Sequence, residues 1–158
     1  MKSLIVYATK YGATKTIAEG IASSMGNADL YDAGSDEKIM LNDYDCVVLG
    51  SPLTAGSIRK EIKRFISEHT VALQSKRLGI FLSGLQESDE EKYFTQNFPK
   101  ELLDRTAVRA FLGGVFDPKK CGFLERKLIK LAAKIDTYTS TINADKIAEF
   151  ARMMEVGM

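Results

Sequence analysis

Apolar positions in this chain gather into short unbroken runs, and the runs alternate with stretches of helical spacing. Leu4-Ile5-Val6-Tyr7 is one such run, Cys46 to Gly50 marks a second strand over residues 44–50, and Leu78 to Leu82 a third over Arg77–Ser83. Continuous apolar character over strand length is what a parallel strand covered on both faces requires. Ala28–Asp32 reads as another short strand and residues 107–116 as a fifth. Between the runs the period changes. Ile17, Ala18, Ile21, Ala22 and Met25 line one face of a helix, and Ile58, Ile62, Phe65 and Ile66 line a second over residues 57–69. Residues 88–104 read as a charged helix and 122–135 as a basic amphipathic one. Residues 137–142 read as briefly extended. A last helix capped by Asn143 carries Ile147, Phe150, Ala151 and Met154. Strands alternating with helices predict an α/β fold: a parallel five-stranded sheet with helices on both faces, a three-layer sandwich. The expected strand order is 2-1-3-4-5, in a single domain over residues 1–158 with an insertion around 117–138.

Three strand ends carry the candidate chemistry. The first strand runs into Thr9, Lys10, Tyr11, Gly12, Ala13 and Thr14 and then into a helix. Small residues and hydroxyls at a helix N-terminus make an anion cradle, because amide groups and the helix dipole point at the same place. Thr14 or Thr16 is placed to cap that helix. No Gly-Lys-Ser/Thr closes the loop and three spaced glycines are missing, so a monophosphate fits better than a nucleoside triphosphate or a dinucleotide. The competing view is an ordinary capped turn without a ligand. The second end is Ser51, Pro52, Leu53, Thr54, Ala55 and Gly56, and the third is Ser83, Gly84, Leu85 and Gln86. With strand order 2-1-3-4-5 all three loops meet at one edge of the sheet, where open α/β folds bind ligands.

Composition narrows the class. Lys and Arg number 22 against 21 Asp and Glu, a net charge of +1, which argues against nucleic-acid binding. Two cysteines in 158 residues make no disulfide scaffold; Cys46 reads as an inert core thiol and Cys121 as an ordinary free one. No apolar run spans a bilayer, and the cytoplasm is the expected compartment. His69 reads as a helix C-terminal cap. Tyr93, Phe94 and Phe98 have helical spacing and are expected to pack inward; the other view turns Tyr93 toward the strand ends. No nucleophile–base pair and no metal-ligand set stands out, so neither a catalytic side chain nor a metal is expected. On the 122–135 helix, Leu124, Leu128, Leu131, Ala132 and Ile135 form a stripe, with Arg126, Lys127, Lys130 and Lys134 elsewhere. The stripe is expected to pack on the sheet; the other view is a surface for anionic lipid or an acidic partner.

Residues Tyr7 to Thr14, with Ser51–Gly56 and Ser83–Gln86 in the second and third loop positions, resemble the flavodoxin family over essentially the whole chain. The resemblance implies a flavodoxin-like fold and FMN as cofactor, with Thr9 through Thr14 on the ribityl phosphate and the other two loops flanking the isoalloxazine. Tyr11 stands where a hydroxyl residue is usual, there is no Trp, and the chain is near neutral where electron carriers of the family are acidic. From Phe111 to Met154 the chain is similar to the flavodoxin-like menaquinone-dependent protoporphyrinogen dehydrogenases. The points of contact are Gly113-Gly114, residues 123–134 and residues 145–152. Its second loop lacks the Arg and Tyr of that group. The implied partners are a redox protein or a small-molecule substrate, with a quinone or the inner membrane surface met through the 122–135 helix. Three functions stay open: electron transfer, an FMN-dependent oxidoreductase with a quinone acceptor, and a flavin-free binding module. Charge adds one expectation. A carboxylate about 10 Å from the flavin disfavours its anionic reduced form by only ~0.4 kcal/mol in water, but several add up. With the chain near neutral rather than acidic, the flavin should be less strongly reducing than in acidic carriers, as potentiometric titration would measure.

Overall fold

The computed structural model describes residues 1–85 and 88–156. Its central sheet is parallel throughout, in the order β2-β1-β3-β4-β5. The strands are β1 (Ser3–Tyr7), β2 (Ala28–Asp32), β3 (Cys46–Pro52), β4 (Arg77–Ser83) and β5 (Thr106–Phe111). Side chains alternate across this sheet and divide the core in two. Leu4, Val6, Val47, Leu49, Ile80 and Leu82 face one side. There they meet Ile62 and Phe65 of α2 (Lys60–Glu68), Leu73 of α3 (Thr70–Leu73), Phe94 of α4 (Glu90–Asn97) and Leu103 of α5 (Lys100–Leu103). Ile5, Tyr7, Val48 and Phe81 face the other side. There they meet Ile17 and Ile21 of α1 (Ala13–Met25) and Ile147, Phe150 and Met154 of α7 (Ala144–Glu155). The result is the three-layer sandwich the alternation predicts.

Several boundaries move for local reasons. The first helix is not capped by Thr14 or Thr16. Its N-cap is Gly12, at φ 98°, a left-handed conformation that only glycine adopts freely. The helix expected from residue 57 starts at Lys60, because Thr54 and Ser57 exchange backbone hydrogen bonds of 2.9 and 3.0 Å that hold the preceding residues in a turn. The charged helix of residues 88–104 breaks at Phe98-Pro99, since proline disfavours helical backbone in the residue before it. His69 does stand at the C-cap of α2, with its ring 4.4 Å from that of Phe65. Asn143 caps α7 as expected: its Oδ1 accepts from the amides of Asp145 and Lys146 at 3.0 and 3.1 Å. The far end of α7 is tied down by Arg77, whose guanidinium donates to the carbonyls of Met153, Met154 and Val156.

The fifth strand is shorter than the apolar run suggests. It ends at Phe111, and Val115 and Phe116 instead form β6, which pairs antiparallel with β7 (Thr139–Ser140). The reason lies in Gly113 and Gly114. Gly113 has φ 89°, and a Cβ there would lie 2.1 Å from the carbonyl oxygen of Thr141. A Cβ on Gly114 would fall 2.7 Å from the backbone of Gly84. The chain bends away from the sheet at a point where only bare backbone fits. The β6–β7 ribbon then carries α6 (Phe123–Ala133) on the rim of the molecule.

The same helix overturns the expectation that its stripe packs on the sheet. Phe123, Leu124, Leu128 and Leu131 are 69, 73, 67 and 75% exposed. Glu125 and Ile129 are the residues that turn inward, toward the loops at the sheet edge. Glu125 and Ile129 therefore attach α6 while its leucine stripe meets solvent, the reverse of a surface helix covering a core.

Candidate functional site

Strand order places the site. The chain leaves β1 toward β2 on one side and returns as β3 on the other, so the loops after β1 and β3 diverge and leave a crevice at their carboxyl ends. A cavity of about 450 Å³ opens there, within the roughly 300–1,000 Å³ usual for small-molecule sites.

All three sequence-derived loops reach it. Thr9, Lys10, Tyr11, Ala13 and Thr14 line it from the first, and Pro52, Leu53, Thr54, Ala55 and Gly56 from the second. Ser83, Gly84 and Leu85 line it from the third; Gln86 lies outside the described residues. Gly12 lines an adjoining cleft of about 200 Å³ together with Thr16, Asp117 and Lys120. Ser51 is fully buried and supports the wall from behind: its hydroxyl accepts from the Arg59 amide at 2.9 Å and donates to the Pro52 carbonyl. Tyr93 reaches the cavity, while Phe94 and Phe98 pack inward.

Within the first loop, the Gly12 amide donates to the Thr9 hydroxyl at 2.9 Å, which curls the chain around the start of α1. The amides of the first turn of α1 have no acceptor inside their own helix and lie at its positive end. Thr14, 1% exposed, pairs its hydroxyl with that of Ser83 at 2.7 Å. This buried contact fixes the first loop against the third. The second loop turns tightly at its tip, with Ala55 at φ 50° and Gly56 at φ 79°. Asn97 of α4 holds that tip: its side-chain NH2 donates to the Gly56 carbonyl at 2.8 Å, and its oxygen accepts from the Ile58 amide at 3.0 Å.

Sequence reasoning missed a fourth wall. Phe111, Gly114, Val115, Phe116, Cys121, Glu125 and Ile129 come from the segment after β5 and close the cavity on its far side. The Gly113-Gly114 pair signals a close backbone approach, but nothing local says that the following helix folds back over the first loop. Among the described lining residues, Glu125 is the one carboxylate and Lys10 the one ammonium. Glu125 accepts from the Tyr11 hydroxyl and, at 3.1 Å, from Lys10 Nζ. Burial opposes charge on Glu125, but the hydrogen bonds from Tyr11 and Lys10 outweigh it and hold the carboxyl below its usual range. The same hydrogen bond raises Tyr11, and Lys10 is raised chiefly by its bond to Glu125. Cys121 is no activated thiol: burial, with Glu125 adding to it, pushes it up. Cys46 is buried and its thiol is likewise pushed up by desolvation. Among the described residues no cluster could hold a metal ion, and no helix is long and apolar enough to cross a membrane.

The arrangement offers a polar, donor-rich corner at the start of α1 and, between the second and third loops, a space bordered by Pro52, Leu53, Ala55 and Leu85. It suits a ligand with an anionic tail and a broad ring. The flavodoxin domain model matches residues 4–143, and the chain belongs to that family. It is 26% identical over 169 residues to the protoporphyrinogen IX dehydrogenase [quinone] of Escherichia coli K12, covering 96% of this chain and 93% of that protein. Its fold is similar to that of oxidised flavodoxin 1 from Bacillus cereus, with a TM-score of 0.62 at 14% identity over 100% of this chain and 99% of the other. A flavoprotein from Lactobacillus acidophilus, solved in complex with FMN, has a TM-score of 0.52 at 19% identity over 72% of this chain and 91% of its own.

The Thr14–Ser83 pair provides a test of how the loops are held together. Ser83→Ala strands a buried hydroxyl and should cost about 1–2 kcal/mol. Adding Thr14→Ala should cost less than its effect alone, because the partner is already gone. Urea denaturation of the two single variants and the double variant measures both.

Proposed function

We propose that this flavodoxin-family chain binds FMN in the cavity at the carboxyl edge of its sheet and works as a redox protein. The observation that carries this is the meeting of the three loops around one cavity with an amide-rich corner at one end. The residues present fit the group. Amides of residues 9–14, with Lys10 and the hydroxyls of Thr9 and Thr14, are placed to bind the phosphate. Residues 52–56 and 83–85 with Tyr93 bound the space for the ring, and the Asn97 brace keeps the tip of the second loop in position. When bound, FMN supplies transfer of one or two electrons. The protein's part is to orient the ring, set the apolar side chains of Phe111, Val115 and Phe116 on the β5 side, and confine water to the open mouth.

Electron transfer to or from a redox partner is the general role. A second, narrower reading is direct oxidation of a substrate with a quinone as acceptor. It is supported by the similarity to a quinone-linked protoporphyrinogen dehydrogenase along nearly the whole length of both chains. It also has a physical support in α6. An exposed stripe of Phe123, Leu124, Leu128 and Leu131 sits in a segment, residues 117–138, with six Lys and Arg against three Asp and Glu. Such a helix suits contact with an anionic bilayer surface, where quinones reside.

Titration of flavin-free protein with FMN, followed by absorbance, should show stoichiometric uptake; none at all would overturn the cofactor assignment. The loaded protein, mixed with a porphyrinogen and a soluble quinone, should produce porphyrin fluorescence only when the quinone is present. No porphyrin would leave electron transfer as the role. Surface contact has its own measurement. The protein should sediment with anionic vesicles, and Leu124→Asp with Leu128→Asp should weaken that by roughly tenfold or more, given about 1.5–3 kcal/mol for each buried leucine. High salt should weaken it as well.

A further inference from the structure

Helix α6 is fastened to the phosphate loop by one carboxylate. Glu125 stands in the first turn of α6, and its two oxygens accept from two neighbouring loop residues: one from the Tyr11 hydroxyl, the other from Lys10 Nζ at 3.1 Å. The Lys10 ammonium also lies 5.0 Å from the centre of the Tyr11 ring, so donor, ring and carboxylate form one cluster on the cavity wall. Among the described residues the rest of the hold is slight. Ile129, one turn on, faces the cavity, while the large apolar residues of α6 face solvent.

We propose that Glu125 is a resident anion: it occupies Lys10 and Tyr11 in place of the cofactor phosphate, and a phosphate ester entering the loop displaces it and releases α6. The proposal rests on the assignment of residues 9–14 as the phosphate site. A phosphate monoester carries about −1.5 to −2 charge at pH 7 and offers three strong acceptor oxygens. Besides the hydroxyls of Thr9 and Thr14, this loop offers two side-chain donors, Lys10 and Tyr11, and Glu125 uses both. A carboxylate held on the same ammonium repels the incoming phosphate. Its two bonds give way more easily than contacts to the α1 amides, which are fixed by backbone. Release is opposed by little apolar burial, because the stripe of α6 is already in water. Linkage makes the effect reciprocal: whatever loosens Glu125 tightens binding of the phosphate, and the phosphate loosens α6 by the same factor.

The decisive comparison is Glu125→Gln against the unaltered chain, each titrated at low salt with FMN and with riboflavin, which lacks the phosphate. Glu125→Gln should bind FMN at least about fivefold more tightly, the lower end of usual coupling, and riboflavin equally. Trypsin gives a second readout, with cleavage sites at Arg126, Lys127 and Lys130. FMN should speed cleavage there in the unaltered chain, riboflavin should not, and Glu125→Gln should be cut quickly without any flavin. Unchanged or weaker FMN binding by Glu125→Gln overturns the proposal, as does protection of the segment by FMN, which would make Glu125 a closing contact. An unaltered chain that binds riboflavin and FMN equally removes the phosphate site itself, and the proposal with it.

Discussion

Everything at the site follows from β1 being paired on both edges. Tyr7 at its end is in register with Asp32 of β2 on one side and Gly50 of β3 on the other. Both neighbours run parallel to it, so every connection must cross over a face of the sheet, and helices cover both faces. The strand ends then share one edge, and chain direction reverses above β1 and β3. No helix can fill that gap without crossing another connection. The crevice is therefore a consequence of hydrogen-bond topology, and the loop residues decide only what it holds.

That topology was legible because burial on two faces leaves a strong mark. Leu4 to Tyr7 and Leu78 to Leu82 hold no polar side chain, and β1 and β4 run where the sequence puts them. Asn143 announces its helix in the same way, through a side chain that has one job. The errors arise where a distant contact decides. The run up to Phe116 looks like a single strand, yet Gly113 and Gly114 bend it because Thr141 and Gly84 stand too close for any side chain. The three loops that border the cavity were readable because their composition is local to a strand end. Glu125 and Ile129 were not, since their place in the site depends on a fold-back that brings residue 125 to residue 11.

The basic amphipathic helix teaches a different lesson. Periodicity gave its face correctly but not which way the face points. A stripe of leucines is compatible with a core or with a partner, and only the position of the β6–β7 ribbon decides. Here the ribbon lifts α6 to the rim, where Glu125 is drawn inward by Lys10 and Tyr11 and the leucines are left outside. The sheet face that a leucine stripe could cover is already occupied by α1 and α7.

Asn97 extends the site beyond its visible lining. It belongs to α4, does not border the cavity, and yet bridges the carbonyl of Gly56 and the amide of Ile58. The rim of the middle loop thus hangs from a helix that is itself anchored by Phe94 in the layer it shares with α2. Evolution can adjust how firmly that rim grips a ring by repacking α4, leaving every residue that faces the ligand untouched.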